Sequence, residues 1–122
     1  MFKKHSVLVD DDETDIRTTL SSELVSHGYQ VHSASDGKEA ISALTGKQID
    51  VVLLDINMPK SDGFEVLEFI QNKSLHSKVI MLSAFADLNN VFKSKKLEAR
   101  DFIPKPYSVE DVITAIKRVL SE

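Results

Sequence analysis

Residues 51–54 read Val-Val-Leu-Leu, an apolar run with no polar break, and it stops at Asp55. A strand with one wet face alternates apolar and polar residues. An unbroken apolar run is what a strand needs when both of its faces are covered, as in a parallel sheet between helical layers. Asn57, Pro59, Asp62 and Gly63 follow and oppose both a longer strand and an immediate helix. Asp55 is therefore expected at the carboxyl end of a central strand beside a loop, the edge at which open α/β sheets bind ligands. Taken alone, an aspartate there serves equally well as a turn or cap residue.

The rest of the chain repeats the pattern. Val7, Leu8 and Val9 make a short buried strand running into Asp10, Asp11 and Asp12. Ile16, Leu20 and Leu24 then mark one helix face, with Gly28 as its left-handed stop. Residues 29–34 have looser β character. Asp36 and Gly37 open a second helix, with Ala40, Ile41 and Leu44 inward and Gly46 closing it. Phe64, Val66, Leu67 and Ile70 give a third helix. Residues 79–82 form a strand stopping at Ser83, and Leu88, Val91 and Phe92 a fourth helix, weakened by Asn89 and Asn90. Phe102 and Ile103 are a brief strand before Pro104, Lys105 and Pro106. Ser108 and Asp111 form a capping-box pattern ahead of a last helix carrying Val112, Ile113, Ile116 and Val119. Five β units alternating with five α units predict an α/β fold with a doubly wound, five-stranded parallel sheet. Periodicity does not reveal the strand order.

The chain is expected to be one domain over residues 1–122. It has no cysteine, which excludes disulfides and thiolate metal sites. Its 15 basic and 19 acidic residues give a net charge of −4, offering no footprint for direct nucleic-acid binding. No run of about 18 apolar residues suggests a membrane span, and residues 1–10 are too briefly apolar for a signal peptide. A cytoplasmic location is the expectation.

Parallel strands send Asp11, Asp12, Asp55, Ser83 and Lys105 to a common edge. Carboxylates about 4 Å apart repel by roughly 4 kcal/mol per pair at an effective dielectric of 20, so such a cluster needs a cation. An all-oxygen site of few ligands suits Mg²⁺, which keeps several waters and leaves room for a phosphoryl group. Lys105 would meet one phosphoryl oxygen as a point charge and Ser83 another through its hydroxyl. Asp55 would be the nucleophile that becomes an aspartyl phosphate.

The segments VLVDDDETDIR, LLDINMPKSDGFEVL, VIMLSAFAD and DFIPKPYSVEDV resemble those of a response regulator receiver domain, the phosphoacceptor module of two-component signalling. The resemblance covers essentially the whole chain. It implies a flavodoxin-like fold with strand order 2-1-3-4-5, for which a member of this family is a standard example. It also implies a regulatory phosphoacceptor rather than a conventional enzyme, with a phosphohistidine donor on a histidine kinase or histidine phosphotransfer protein. Asn57 would offer its backbone carbonyl to the metal. Phe102 falls at the family's switch aromatic, and Lys105 to Pro106 at its cis peptide. Output is expected through the face of helix 4, strand 5 and helix 5, to an effector protein or a second copy. Asn57 and Phe85, two positions beyond Asp55 and Ser83, flank the path of a hydrolytic water and would set the phosphoryl lifetime.

Departures from the family pattern are local. Asp10 stands where an apolar residue is usual, so the acidic pair reads as Asp10 with Asp11 or, counting back from Ile16, as Asp11 with Asp12; the second register is preferred. Ser83 replaces the commoner threonine, and Ser61 and Glu98 replace the usual methionine and glycine. His5, His27, His32 and His76 have no metal-ligand spacing. A Mg²⁺-dependent phosphohydrolase usually has a second acid where Asn57 stands. A flavin or nucleotide binder would need a phosphate loop where this chain is acidic. A degenerate scaffold would be expected to lack one of the five site positions, all of which occur here.

Overall fold

A computed structural model describes residues 4–56, 63–83 and 88–122. Its elements alternate as β1 (Ser6–Asp10), α1 (Thr14–Ser26), β2 (Gln30–Ala34), α2 (Gly37–Gly46), β3 (Val51–Asp55), α3 (Gly63–Asn72), β4 (Lys78–Ser83), α4 (Leu88–Lys96), β5 (Asp101–Pro104) and α5 (Val109–Leu120). The strands form one parallel sheet in the order β2-β1-β3-β4-β5, as the resemblance implied.

The unbroken apolar runs have the expected cause. Successive side chains of a strand face opposite ways, and each face carries its own core. Val7, Val9, Val51, Leu53, Ile80 and Leu82 pack with Leu20 and Leu24 of α1 and Val112, Ile116 and Val119 of α5. Leu8, Val52, Leu54, Val79 and Met81 face the other way, against Ala40 and Leu44 of α2 and Phe64, Leu67 and Ile70 of α3. β2 is an edge strand, half-covered, which explains its looser pattern.

The helix signals are mostly literal. Gly28 has φ +91°, the left-handed conformation that releases the chain after α1. The Asp36 side chain caps α2 by accepting from the Glu39 amide at 2.8 Å. α5 has a full capping box: Asp111 N–H donates to Ser108 Oγ at 3.1 Å, and Ser108 N–H donates to Asp111 Oδ2 at 3.2 Å. Gly46 closes α2 as expected, as its last residue, and the chain leaves extended at Lys47, with φ −138°. Glu98, just past α4, does adopt φ +67°, a glycine conformation held by a side-chain-bearing residue. The Lys105–Pro106 peptide is cis.

Candidate functional site

Register brings the polar strand ends together. Asp10 is level with Leu54, which sets Asp11 beside Asp55 at the next step. Asp55 is level with Leu82 and Ser83 with Pro104, so Ser83 and Lys105 follow on the same edge. The Lys105 amide donates to the Ser83 carbonyl at 2.7 Å, fixing where the lysine leaves β5. Asp11, Asp55 and Ser83 are buried.

Lys105 Nζ lies 2.9 Å from Asp11 Oδ2, 3.4 Å from Asp55 Oδ2 and 3.5 Å from Glu13 Oε1. Burial alone would lower its pKa, but the hydrogen bond it donates to Asp11 and the charges of Asp55, Asp11 and Glu13 outweigh that and hold the ammonium above its ordinary range. It is cationic at any physiological pH. Asp11 is held from its other side as well: its Oδ1 accepts from the Glu13 amide at 2.9 Å, and its backbone carbonyl accepts from Arg17 Nη1 at 2.7 Å. These contacts occupy the turn into α1, whose own cap residue, Glu13, makes no side-chain capping bond.

Asp11, Asp12 and Asp55 each offer a carboxylate oxygen, and the three oxygens lie within 4.8 Å of one another. A hard cation that prefers oxygen donors fits this set, and nothing in it suits a thiophilic or imidazole-seeking metal. Asp10 is set apart. It ends β1, is fully buried, and neither carboxylate oxygen has a hydrogen-bond partner among the described residues. Burial first, then the charges of Asp36, Asp11, Asp55 and Glu39, push it up to about 8, so it is mostly protonated at neutral pH.

Phe102 is half-buried, level with Met81 and packed on the α2/α3 face of the sheet. Phe102 thus lies one strand away from Ser83. Asn57 and Phe85 lie outside the described residues.

Several contributors escaped the sequence reading. A Cβ at Gly63 would come within 2.4 Å of the Asp55 carbonyl oxygen and 3.0 Å of Ile56 Cα, and the Gly63 amide donates to the Ile56 carbonyl at 2.7 Å. Asp62-Gly63 read only as turn residues, although a glycine opening a helix beside a strand end is the trace such a close approach leaves. The Tyr107 hydroxyl is buried without a hydrogen-bond partner among the described residues, and burial pushes it up to about 12. It borders a groove of about 520 Å³ lined by Ile16, Leu20, Pro106 and Lys105.

Residues 7–117 match the response regulator receiver domain family. The probable transcriptional regulator ycf27 of Porphyridium aerugineum is 38% identical over 97% of this chain and 49% of its own length. The chain spans about half the length of this and comparable curated relatives. A CheY-like response regulator receiver domain protein from Methanospirillum hungatei superposes with a TM-score of 0.94 at 28% identity, over 98% of this chain and 95% of that one. The response regulator protein TrrA of Thermotoga maritima, in complex with Mg²⁺-BeF, gives a TM-score of 0.84 at 31% identity, over 94% of this chain and 98% of that one.

Proposed function

Because this chain belongs to the response regulator receiver domain family, we propose that Asp55 accepts a phosphoryl group from a phosphohistidine on a histidine kinase or histidine phosphotransfer protein. One Asp55 carboxylate oxygen attacks phosphorus, the P–N bond to the donor imidazole breaks, and the imidazole leaves carrying the bonding pair and takes up a proton. Lys105 serves twice. Before transfer it neutralises part of the Asp11 and Asp55 charge, which lets a phosphoryl group approach; afterwards its ammonium turns to a phosphoryl oxygen. The Ser83 hydroxyl donates to a second oxygen. Asp11, Asp12, Asp55 and the Asn57 carbonyl would hold Mg²⁺, whose charge offsets that of the phosphoryl oxygens.

The observation that carries this reading is the ammonium of Lys105 between Asp11 and Asp55, beside a third carboxylate within cation-sharing distance. A structural ion pair needs one acid, not three. The groove beside Tyr107 supports docking of a donor protein next to Lys105. Output would pass from Ser83 to Phe102 and the α4/β5/α5 face, where Lys93, Lys95, Lys96 and Arg100 are exposed and Phe92 is 62% exposed. An effector protein or a second copy would dock there. Among the described residues no helix is long and apolar enough to cross a membrane.

Acetyl phosphate with Mg²⁺, read by intact mass, tests the assignment. One phosphoryl group should add to the parent chain and none to Asp55→Asn. Undiminished labelling of that variant would place the acceptor elsewhere.

A further inference from the structure

α4 is lightly seated. Among its residues from 91 to 96, whose side chains are described, only Ser94 is buried. Against that background one contact stands out: Lys93 Nζ lies over the ring of Phe64, 4.4 Å from its centroid. This is a cation–π geometry. Phe64 is no ordinary surface ring. It is 5% exposed, belongs to the core of the α2/α3 face, and follows Gly63 directly.

Gly63 in turn is seated on the phosphoacceptor's own backbone, with no room for even a Cβ beside the Asp55 carbonyl and its amide bonded to the Ile56 carbonyl. Two contacts and one covalent step thus run from Asp55 to α4 without passing through Ser83 or Phe102: Asp55 backbone to Gly63, the peptide bond to Phe64, and Phe64 to Lys93.

We propose that Lys93 on Phe64 is a latch holding α4 in the position it takes while Asp55 is unmodified, a second coupling between the acceptor and the output face. This rests on the phosphoacceptor reading of Asp55. A contact made in only one of two arrangements biases the equilibrium by its own free energy, and linkage makes the effect reciprocal: loosening the latch must tighten whatever ligand at Asp55 favours the other arrangement. A cation–π contact at an exposed site corresponds to a factor of about 2 to 5.

Beryllofluoride with Mg²⁺, a phosphoryl mimic, provides the probe. Its affinity for Lys93→Gln should rise about 2- to 5-fold, and amide shifts of α4 in ligand-free Lys93→Gln should move part-way toward those of the ligand-bound parent. Lys93→Arg, which keeps a cation for the ring, should match the parent. Phe64→Leu should tighten binding in the same way, and adding Lys93→Gln to it should change nothing further. Unchanged or weaker binding in Lys93→Gln, or an Arg variant behaving like the Gln variant, would overturn the latch. A parent chain that takes up no beryllofluoride would instead sink the phosphoacceptor reading itself.

Discussion

Lys105 and Asp11, separated by 94 positions in the chain, meet at 2.9 Å, and the lysine side chain is only 13% exposed. Asp11 is thereby a buried carboxylate whose charge, among the described residues, the Lys105 ammonium balances. Removing one partner of a buried pair costs up to about 3–5 kcal/mol because the other charge is left uncompensated. Lys105→Met should therefore lose stability in Mg²⁺-free buffer, toward the low end of that range since Lys105 is not fully enclosed. Mg²⁺ should restore much of the loss by supplying the missing positive charge, and Mn²⁺ should bind the variant at least as tightly as the parent. Beryllofluoride affinity should nevertheless fall at least tenfold, on the order of the 1.4 kcal/mol or more that a charged hydrogen bond contributes. Urea denaturation with and without Mg²⁺ checks the first part. Weaker Mn²⁺ binding in the variant would contradict it.

The sheet and its edge were legible because their causes are local and periodic. Residues 51–54 are apolar throughout because Val51 and Leu53 face one core while Val52 and Leu54 face the other. Asp55, Ser83 and Lys105 could be gathered on one edge because parallel strands all end there. Strand order was not legible from periodicity, since which strand neighbours which is decided by crossovers and not by any residue's pattern; it came from family resemblance. What stayed hidden depends on distance in space. The clash that reserves position 63 for glycine involves backbone atoms of residues 55 and 56, and Asp10, already out of place where an apolar residue is usual, shows its full burial only once β1 is set in the sheet.

Gly63→Ala tests the close approach. The added Cβ would meet the Asp55 carbonyl oxygen at 2.4 Å, and the backbone it meets belongs to a central strand that cannot rotate away. Overpacking of this kind costs about 1–3 kcal/mol, here expected near the upper end. The displaced Asp55 peptide should also weaken beryllofluoride binding. A variant with parental urea midpoint and parental affinity would show that α3 can slide off the strand freely.

Glu98 holds a backbone conformation that favours glycine. A side-chain-bearing residue in the left-handed region costs roughly 1–2 kcal/mol, and Glu98 sits there with φ +67°. Part of that is offset by the hydrogen bond from Gln71 Nε2 to Glu98 Oε2 at 3.0 Å, an exposed contact of modest value. Glu98→Gly should therefore gain about 0.5–1 kcal/mol. Glu98→Ala, which loses the hydrogen bond and keeps the strain, should gain nothing. Equal gains in both would assign the effect to the Gln71 contact.

Asp10 makes stability depend on pH in the direction opposite to most carboxylates. Its pKa stands near 8 in the folded chain against 3.8 as the ordinary value, chiefly because burial disfavours the charged form and secondarily because Asp36, Asp11, Asp55 and Glu39 add negative charge. Between about pH 4 and 8 the folded state therefore holds a proton that the unfolded state has released. Stability must fall as pH rises through that window, by up to about 1.4 kcal/mol per pH unit from this group. Below pH 4 the proton is bound in both states and the contribution is flat; above pH 8 it is fully lost. Asp10→Asn keeps the shape of the protonated acid and removes the titration. In Mg²⁺-free urea denaturations the variant should match the parent near pH 4 and become progressively more stable than it toward pH 8, with the two curves parallel again beyond. Every other side chain is common to both proteins, so the difference between the curves isolates Asp10 to first order. Parallel curves across the whole range would mean that Asp10 ionises normally, and that its buried oxygens find a counter-charge in solution.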